Sequence, residues 1–369
     1  AEVGYHGSFF DDENRSLTWQ NPFADPADAD NFGRLALPPD NRSHQVFGSV
    51  GYDLMEHTRL TGNLAFGRMT QDERFLPFTV NPELQRPLPR PSADAEVATR
   101  LVNLKLRSRP LERLRLGAEY KFNERDNDTP RDRYDYVVAD AADARVSRTN
   151  LPYGFKQNLL RLDAGYTLPK RTDLSIGYEH DRLERSFQEA EKTKENTLWA
   201  RLKSSPHERV DLRLGYEHAE RDYDAYAPVP EIQPPQNPLM RKFYMADRDR
   251  NKATAALTAR LGRAWSLGVT ADYSKDDYSD SAIGLQDARD AGVTFDVSFT
   301  PRPDLTAHAF YTRQRIKSDQ TGSQSFAAPD WSTKTTDTFN NLGAGLRWMM
   351  LADRLEIAAD YVYACLLYT

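Results

Sequence analysis

A single cysteine, Cys365, in 369 residues leaves no intrachain disulfide to form, so cysteine usage is silent on the redox compartment. There is no Cys-x-x-Cys-His motif, so the chain attaches no c-type haem of its own. No window comes near the roughly 18 apolar residues that a membrane helix needs, and mean hydropathy is −0.73. Spanning by helices is therefore excluded. One-sided charge is also missing: 49 basic and 55 acidic residues leave a formal net charge of −6. That balance creates no field to collect nucleic acid, and no nucleic-acid partner is expected. The seven histidines (His6, His44, His57, His180, His207, His218 and His308) contain no His-Glu-x-x-His spacing. A phosphate loop and a nucleophile elbow are absent too. The carboxylate pairs Asp11-Asp12 and Asp276-Asp277 fall in expected loops, where solvated charge is a simpler reading than calcium. The chain is expected to be no enzyme and to hold no metal or cofactor.

What the sequence does contain is alternation. Between Asn158 and Tyr223 a unit occurs twice: an alternating run, a short turn with proline, a second run ending Gly-Tyr-Glu-His, then a burst of charge. In the first unit Leu174, Ile176, Tyr178 and His180 share one face, with Ser175, Gly177, Glu179 and Asp181 on the other; Leu212, Leu214, Tyr216 and His218 repeat the pattern. The repeating object is an antiparallel hairpin. An opening strand, Glu2–Phe10, precedes a long loop to about Ser43 and seven hairpins. They pair 44–53 with 59–69, 100–107 with 113–122, the two units just described, 253–261 with 265–273, 292–299 with 305–311, and 341–348 with 354–363. That makes about fifteen strands.

Connections within hairpins are short (108–112, 169–172, 262–264, 301–304), whereas those between hairpins are long (70–99, 123–157, 219–250, 312–340). Loops this long are uncommon in compact domains. Their strict alternation with tight turns predicts an all-β fold: a large, antiparallel, up-and-down transmembrane β-barrel with short periplasmic turns and long extracellular loops. Leu116, Ile176, Leu214, Val269 and Phe295 are expected to face outer-membrane lipid, and Tyr120, Tyr178, Tyr216, Tyr273, Tyr311 and Tyr361 to form an interfacial girdle. The opposite face carries Arg115, Glu119, Arg161, Asp163, Arg201, Arg213, Glu217 and Arg347. Charges of both signs in a wide lumen need water or a polar partner, so these eight are candidate partner-binding residues. His180 and His218 recur at one repeat position and read as strand-end aromatic substitutes rather than metal ligands.

One stretch lacks this period. Arg34-Leu35-Ala36-Leu37-Pro38-Pro39-Asp40-Asn41-Arg42-Ser43-His44-Gln45 has two prolines that hold an extended backbone before an expected Asp-Asn turn. This LALPPDN run, followed by His-Gln and a barrel strand, and the upstream Asn21-Pro22-Phe23 resemble the MtrB/PioB family of outer-membrane barrels. The likeness covers essentially the whole chain. It implies a bacterial, Gram-negative outer-membrane porin that sheathes a periplasmic decahaem c-type cytochrome in its lumen. An extracellular multihaem cytochrome would dock on its loops, so that electrons cross the membrane through haem carried by the partners. On that resemblance Leu37, Pro38, Pro39, Asp40, Asn41 and His44 join the candidate partner-binding residues. The other readings open at this point are a general diffusion porin or transport barrel and a soluble extracellular β-repeat adhesin.

Family barrels are longer and often carry a Cys-x-x-Cys near the N-terminus that is not found here. The final Cys-Leu-Leu-Tyr-Thr also back-translates as TGT CTC TTA TAC ACA, which resembles a sequencing-library transposon end. Residues 1–369 are accordingly expected to be one barrel domain cut at both ends, with Cys365 outside the native sequence.

Overall fold

The computed structural model describes the chain apart from residues 24–31, 82–83, 85, 138–144, 233–234, 279, 352–353 and 369. Its strands are β1 (Glu2–Phe10), β2 (Ser16–Gln20), β3 (Phe32–Ala36), β4 (Asn41–Met55), β5 (Thr58–Gln71), β6 (Ala95–Leu111) and β7 (Leu114–Asn127). They continue as β8 (Arg133–Val137), β9 (Arg145–Thr149), β10 (Phe155–Leu168), β11 (Thr172–Arg185), β12 (Lys192–His207), β13 (Val210–Tyr223) and β14 (Met240–Arg241). The last six are β15 (Arg248–Leu261), β16 (Trp265–Asp277), β17 (Ile283–Arg302), β18 (Leu305–Gly322), β19 (Trp331–Met350) and β20 (Leu355–Tyr368). One sheet takes β1, β4–β7, β10–β13 and β15–β20 in antiparallel chain order, with β14 added parallel to β17. The pairs β2–β3 and β8–β9 are separate small hairpins within long connections.

Every expected hairpin is present, but its strands run further. The expected loop 312–340 is mostly strand, because β18 reaches Gly322 and β19 starts at Trp331. Beyond the membrane both faces of a strand meet water, so Lys317-Ser318-Asp319-Gln320 pairs with Thr333–Thr336 without any apolar alternation to reveal it. For the same reason Asp276 and Asp277 are not in a loop. They end β16, and Asp276 is buried against Arg250 at 2.5 Å. The expected Asp40-Asn41 turn is also absent, since Asn41 already pairs with Phe10 at the start of β4. The terminal Cys365–Tyr368 continues β20 opposite Asp337–Asn340, and residue 369 lies outside the described residues.

With Tyr120 and Tyr311 taken as level at the membrane interface, cross-strand register gives the strand tilt. From Tyr120 on β7 the row of partners runs through Leu160, His180 and Asn196 to Glu220 on β13. From Tyr311 on β18 it runs back through Phe295, Val269 and Leu257 to Leu212 on β13. Glu220 and Leu212 stand eight residues apart, and eight strand-to-strand steps separate β7 from β18. A shift of about one residue per strand corresponds to a tilt of roughly 36°, within the range of outer-membrane barrels.

Among the described residues β1 pairs only with β4 and β20 only with β19, so the sheet presents two unpaired edges. An open edge in lipid leaves backbone N–H and C=O groups unsatisfied. The isolated chain is expected to aggregate or stay protease-sensitive in detergent. A heat-modifiable, trypsin-resistant band from the 369-residue chain would contradict this.

Candidate partner-facing inner wall and its extracellular cap

Directly paired residues in antiparallel strands share a face, and this sorts the wall. On one side lie Leu116, Ala164, Ile176, Ala200, Tyr216 and Ala253 in a single row. Large apolar side chains on this side stand open, including Ile176 at 55% and Phe295 at 50% exposure. Such exposure is tolerable only against lipid. Leu116, Ile176, Leu214, Val269 and Phe295 all belong to this outer face.

The tyrosine girdle is also there, and each of four hydroxyls has an asparagine partner. Tyr120 donates to Asn158 (2.8 Å), Tyr178 to Asn196 (2.6 Å), Tyr216 to Asn251 (2.7 Å) and Tyr311 to Asn340 (2.9 Å). His180 and His218 bond the same Asn196 and Asn251, and both lie within β11 and β13 rather than at the expected strand ends. Toward the short turns a second aromatic level carries Trp265 stacked on Phe299, with ring centroids 4.2 Å apart. On β20 the row of Tyr311 and Leu342 meets Tyr363, and a shift of about one residue per strand over two strands brings Tyr361, on the same outer face, level with Tyr311.

All eight charged candidates share the other face, where most are ion-paired, chiefly to further charges of that face. Arg161 lies 2.5 Å from Glu179 and 3.9 Å from Glu119, which also takes Lys105 at 3.2 Å. Asp163 accepts from Arg107 at 2.8 Å, Arg115 meets Asp173 at 2.8 Å and Arg347 meets Glu356 at 3.0 Å. Arg201 instead lies over the Trp199 ring, 4.3 Å from its centroid. That ring covers Gly177, where an added Cβ would sit 2.2 Å from it, so only glycine admits the stack. Among the described residues Arg213 and Glu217 make no ion pair.

Leu37, Pro38, Pro39, Asp40 and Asn41 stand apart from this face, at the long-connection end. There they are tied down: Leu37 N donates to Arg15 O, Asp40 N to Glu73 Oε2 at 3.0 Å, and Asp12 N to Asp40 Oδ1 at 2.8 Å. Glu73 also accepts from Arg15 at 2.6 Å. The neighbouring Asp40 carboxyl, hydrogen-bonded and like-charged, pushes Asp11 above its ordinary value. His44 lies on the outer face, bonded to Tyr5 at 2.7 Å and edge-on to Phe9.

Among the described residues most buried side chains gather at the long-connection end, between the β11–β12 connection and the start of β17. Ala190, Ala219, Met245, Ala246, Tyr278 and Ile283 are packed together with Glu189, Arg248 and Asp276 where the connection from β13 to β15 folds over the inner face. Arg221, on the inner face of β13, donates to the carbonyls of Ala246 (2.9 Å) and Phe243 (2.5 Å). Lys242 reaches the buried Glu189 at 2.6 Å, and Asn237 donates to Ala327 O at 3.0 Å. Burial pulls Lys242 down, but the Glu189 hydrogen bond and charge outweigh it and leave the ammonium above its usual value. This segment is a cap at the extracellular end, and no alternation in the sequence signals it.

At the edge of the cap Arg131 donates to Glu231 at 2.8 Å and holds that carboxyl below its ordinary range. Stability from a depressed acid is present above the unfolded value and is lost as pH falls through the folded one. Amide exchange near Glu231, corrected for intrinsic rates, should therefore quicken as pH drops below the ordinary carboxylate range, and R131Q should remove that dependence. An unchanged pH profile in R131Q would contradict the assignment.

Among the described residues no group of three or more His, Cys, Asp or Glu side chains could hold a metal ion. The fold is similar to solved outer-membrane receptors. It matches the FrpB iron transporter from Neisseria meningitidis with TM-score 0.57 at 11% identity, over 99% of this chain and 57% of that one. It matches the alcaligin receptor FauA from Bordetella pertussis with TM-score 0.55 at 12% identity, over 89% and 54%. At such identities the likeness is one of fold alone. The family model described as outer membrane beta-barrel porin, MtrB/PioB, matches residues 1–365. A curated relative, Outer membrane protein MtrB of Shewanella baltica (strain OS185), is 31% identical over 98% of this chain, which spans 51% of that protein's length. With a whole-length family match, a lipid face and a charged inner wall, the chain belongs to the MtrB/PioB family of outer-membrane β-barrel porins.

Proposed function

We propose that this chain forms part of the wall of an outer-membrane sheath that encloses a periplasmic multihaem c-type cytochrome. An extracellular multihaem cytochrome docks on its loops, and electrons cross through haem carried by those partners, while the chain itself supplies insulation and position. The carrying observation is the inner wall, whose charges of both signs neutralise one another across strands. An ion-selective pore calls for a ring of one sign; a self-paired, mixed surface suits a mixed protein surface. Arg201, Arg213 and Glu217, which have no ion-pair partner in the wall, are the positions left for such a surface.

In the full-length protein, R201E, R213E and E217K are each expected to do little alone, because exposed pairs contribute about 0–1 kcal/mol. Combined, they should lower the haem protein co-purified from detergent-solubilised outer membranes by about tenfold or more, with barrel heat-modifiability unchanged. Undiminished haem recovery with the triple variant would contradict the role assigned to this face.

A further inference from the structure

On β18 the sequence Tyr311-Thr312-Arg313-Gln314-Arg315-Ile316-Lys317 alternates, and its period of two sets three cations on the outer face immediately beyond the girdle tyrosine. The inward partners confirm the side: Thr312 bonds Thr294 at 2.9 Å, and Gln314 bonds Asp290 at 2.8 Å on the inner face. Cross-strand neighbours leave the cations standing clear. Arg313 lies between Val293 and Asn340, Arg315 between Ala291 and Thr338, and Lys317 between Arg289 and Thr336.

Several cations beyond the girdle elsewhere on the outer face are neutralised by neighbours: Arg68 by Glu96 (2.7 Å), Arg100 by Glu124 (2.5 Å), Arg182 by Glu184 (2.8 Å) and Lys194 by Asp224 (2.9 Å), while Lys156 lies over the Phe122 ring, 5.6 Å from its centroid. Among the described residues Arg313, Arg315 and Lys317 make no ion pair, and all three are exposed. The nearby carboxylates engage other cations, Asp287 with Arg289 at 2.7 Å and Asp319 with Lys334 at 3.3 Å. Directly below is the open apolar row Phe295, Tyr311 and Leu342, the lipid-facing band. Three unneutralised cations at interface height above an acyl-chain surface match an amphiphile with several phosphates at the head of its chains.

We propose that Arg313, Arg315 and Lys317 seat the phosphate groups of a lipopolysaccharide molecule of the outer leaflet, with its acyl chains on the Phe295, Tyr311 and Leu342 surface. The site is independent of the lumen and does not rest on the sheath reading. Adjacent rows on one strand are about 6.8 Å apart, so the three side chains can engage more than one phosphate.

The test uses the full-length protein purified from outer membranes. Retained lipid A is measured by mass spectrometry, and rebinding is measured with purified lipid A, dephosphorylated lipid A and inorganic phosphate. The wild type should retain lipid A, release it as ionic strength rises and resist displacement by inorganic phosphate. R313Q/R315Q/K317Q should retain about tenfold less or lower, R313K/R315K should keep most of it, and dephosphorylated lipid A should bind both proteins equally weakly. Equal retention by the wild type and the triple variant, salt-insensitive retention, or release by inorganic phosphate overturns the proposal. Loss of an extracellular haem protein with lipid A unchanged also overturns it and makes the patch a protein-docking surface. If the triple variant fails to assemble, the charge-keeping variant and the wild-type salt profile decide alone.

Discussion

Arginine at Ile176, Leu214 or Phe295 is expected to cut the assembled full-length protein sharply, whereas arginine at Ser175, one residue away on the inner face, should be tolerated. Ile176 and Ser175 differ only in the face to which the period of two assigns them. Arginine at the bilayer midplane costs roughly 2–4 kcal/mol, and two such changes together consume much of the roughly 5–15 kcal/mol that holds a folded protein. The readout is the heat-modifiable, trypsin-resistant fraction in outer membranes. Single cysteines at Leu116, Ile176, Leu214, Val269 and Phe295 should in parallel react with lipid-soluble probes and resist aqueous maleimide. Equal tolerance of arginine at 175 and 176, or uniform aqueous labelling, would mean that the outer face is not in lipid.

The second large effect concerns the cap. Replacing Lys242 by methionine strips the partner from Glu189, whose side chain is 2% exposed. Removing one member of a buried pair costs about 3–5 kcal/mol, and the low end applies because Lys242 is 27% exposed. About 3 kcal/mol raises the open population roughly 100-fold, read as faster proteolysis between β13 and β15. E189Q combined with K242M should restore most of the protection, since no buried charge is then left alone. A single variant as protected as the wild type would show that the cap does not depend on this pair.

The wall was legible because lipid on one side and water on the other impose a strict period of two, seen from Leu114 to Phe122 and in both Gly-Tyr-Glu-His units. Legibility failed where that constraint ends. Thr333 to Thr338 is strand, but water meets both its faces and no pattern distinguishes it from loop. The cap escaped for a related reason: Met240 pairs with Ile283, and Arg221 reaches the carbonyls of Phe243 and Ala246, ties between distant segments that no local period foreshadows. Position on the charged face could be read from single residues, yet partnership could not. Asp163 finds Arg107 two strands away, and Arg201 finds Trp199 on its own strand. The asparagines under the girdle were missed because Asn196 and Asn251 carry meaning only through register with Tyr178 and Tyr216. The LALPPDN run proved informative as a family mark, while its prolines and Asp40 serve locally as a pinned strap at the rim.

The central claim, that this wall encloses a haem-carrying protein and not an open aqueous path, is tested most directly by what accompanies the barrel out of the membrane. Full-length wild-type protein, solubilised mildly from native outer membranes and purified, should bring down a haem-staining protein in fixed proportion and conduct poorly in planar bilayers. A purified barrel that carries no haem protein and conducts ions freely would contradict the sheath and leave a diffusion porin in its place.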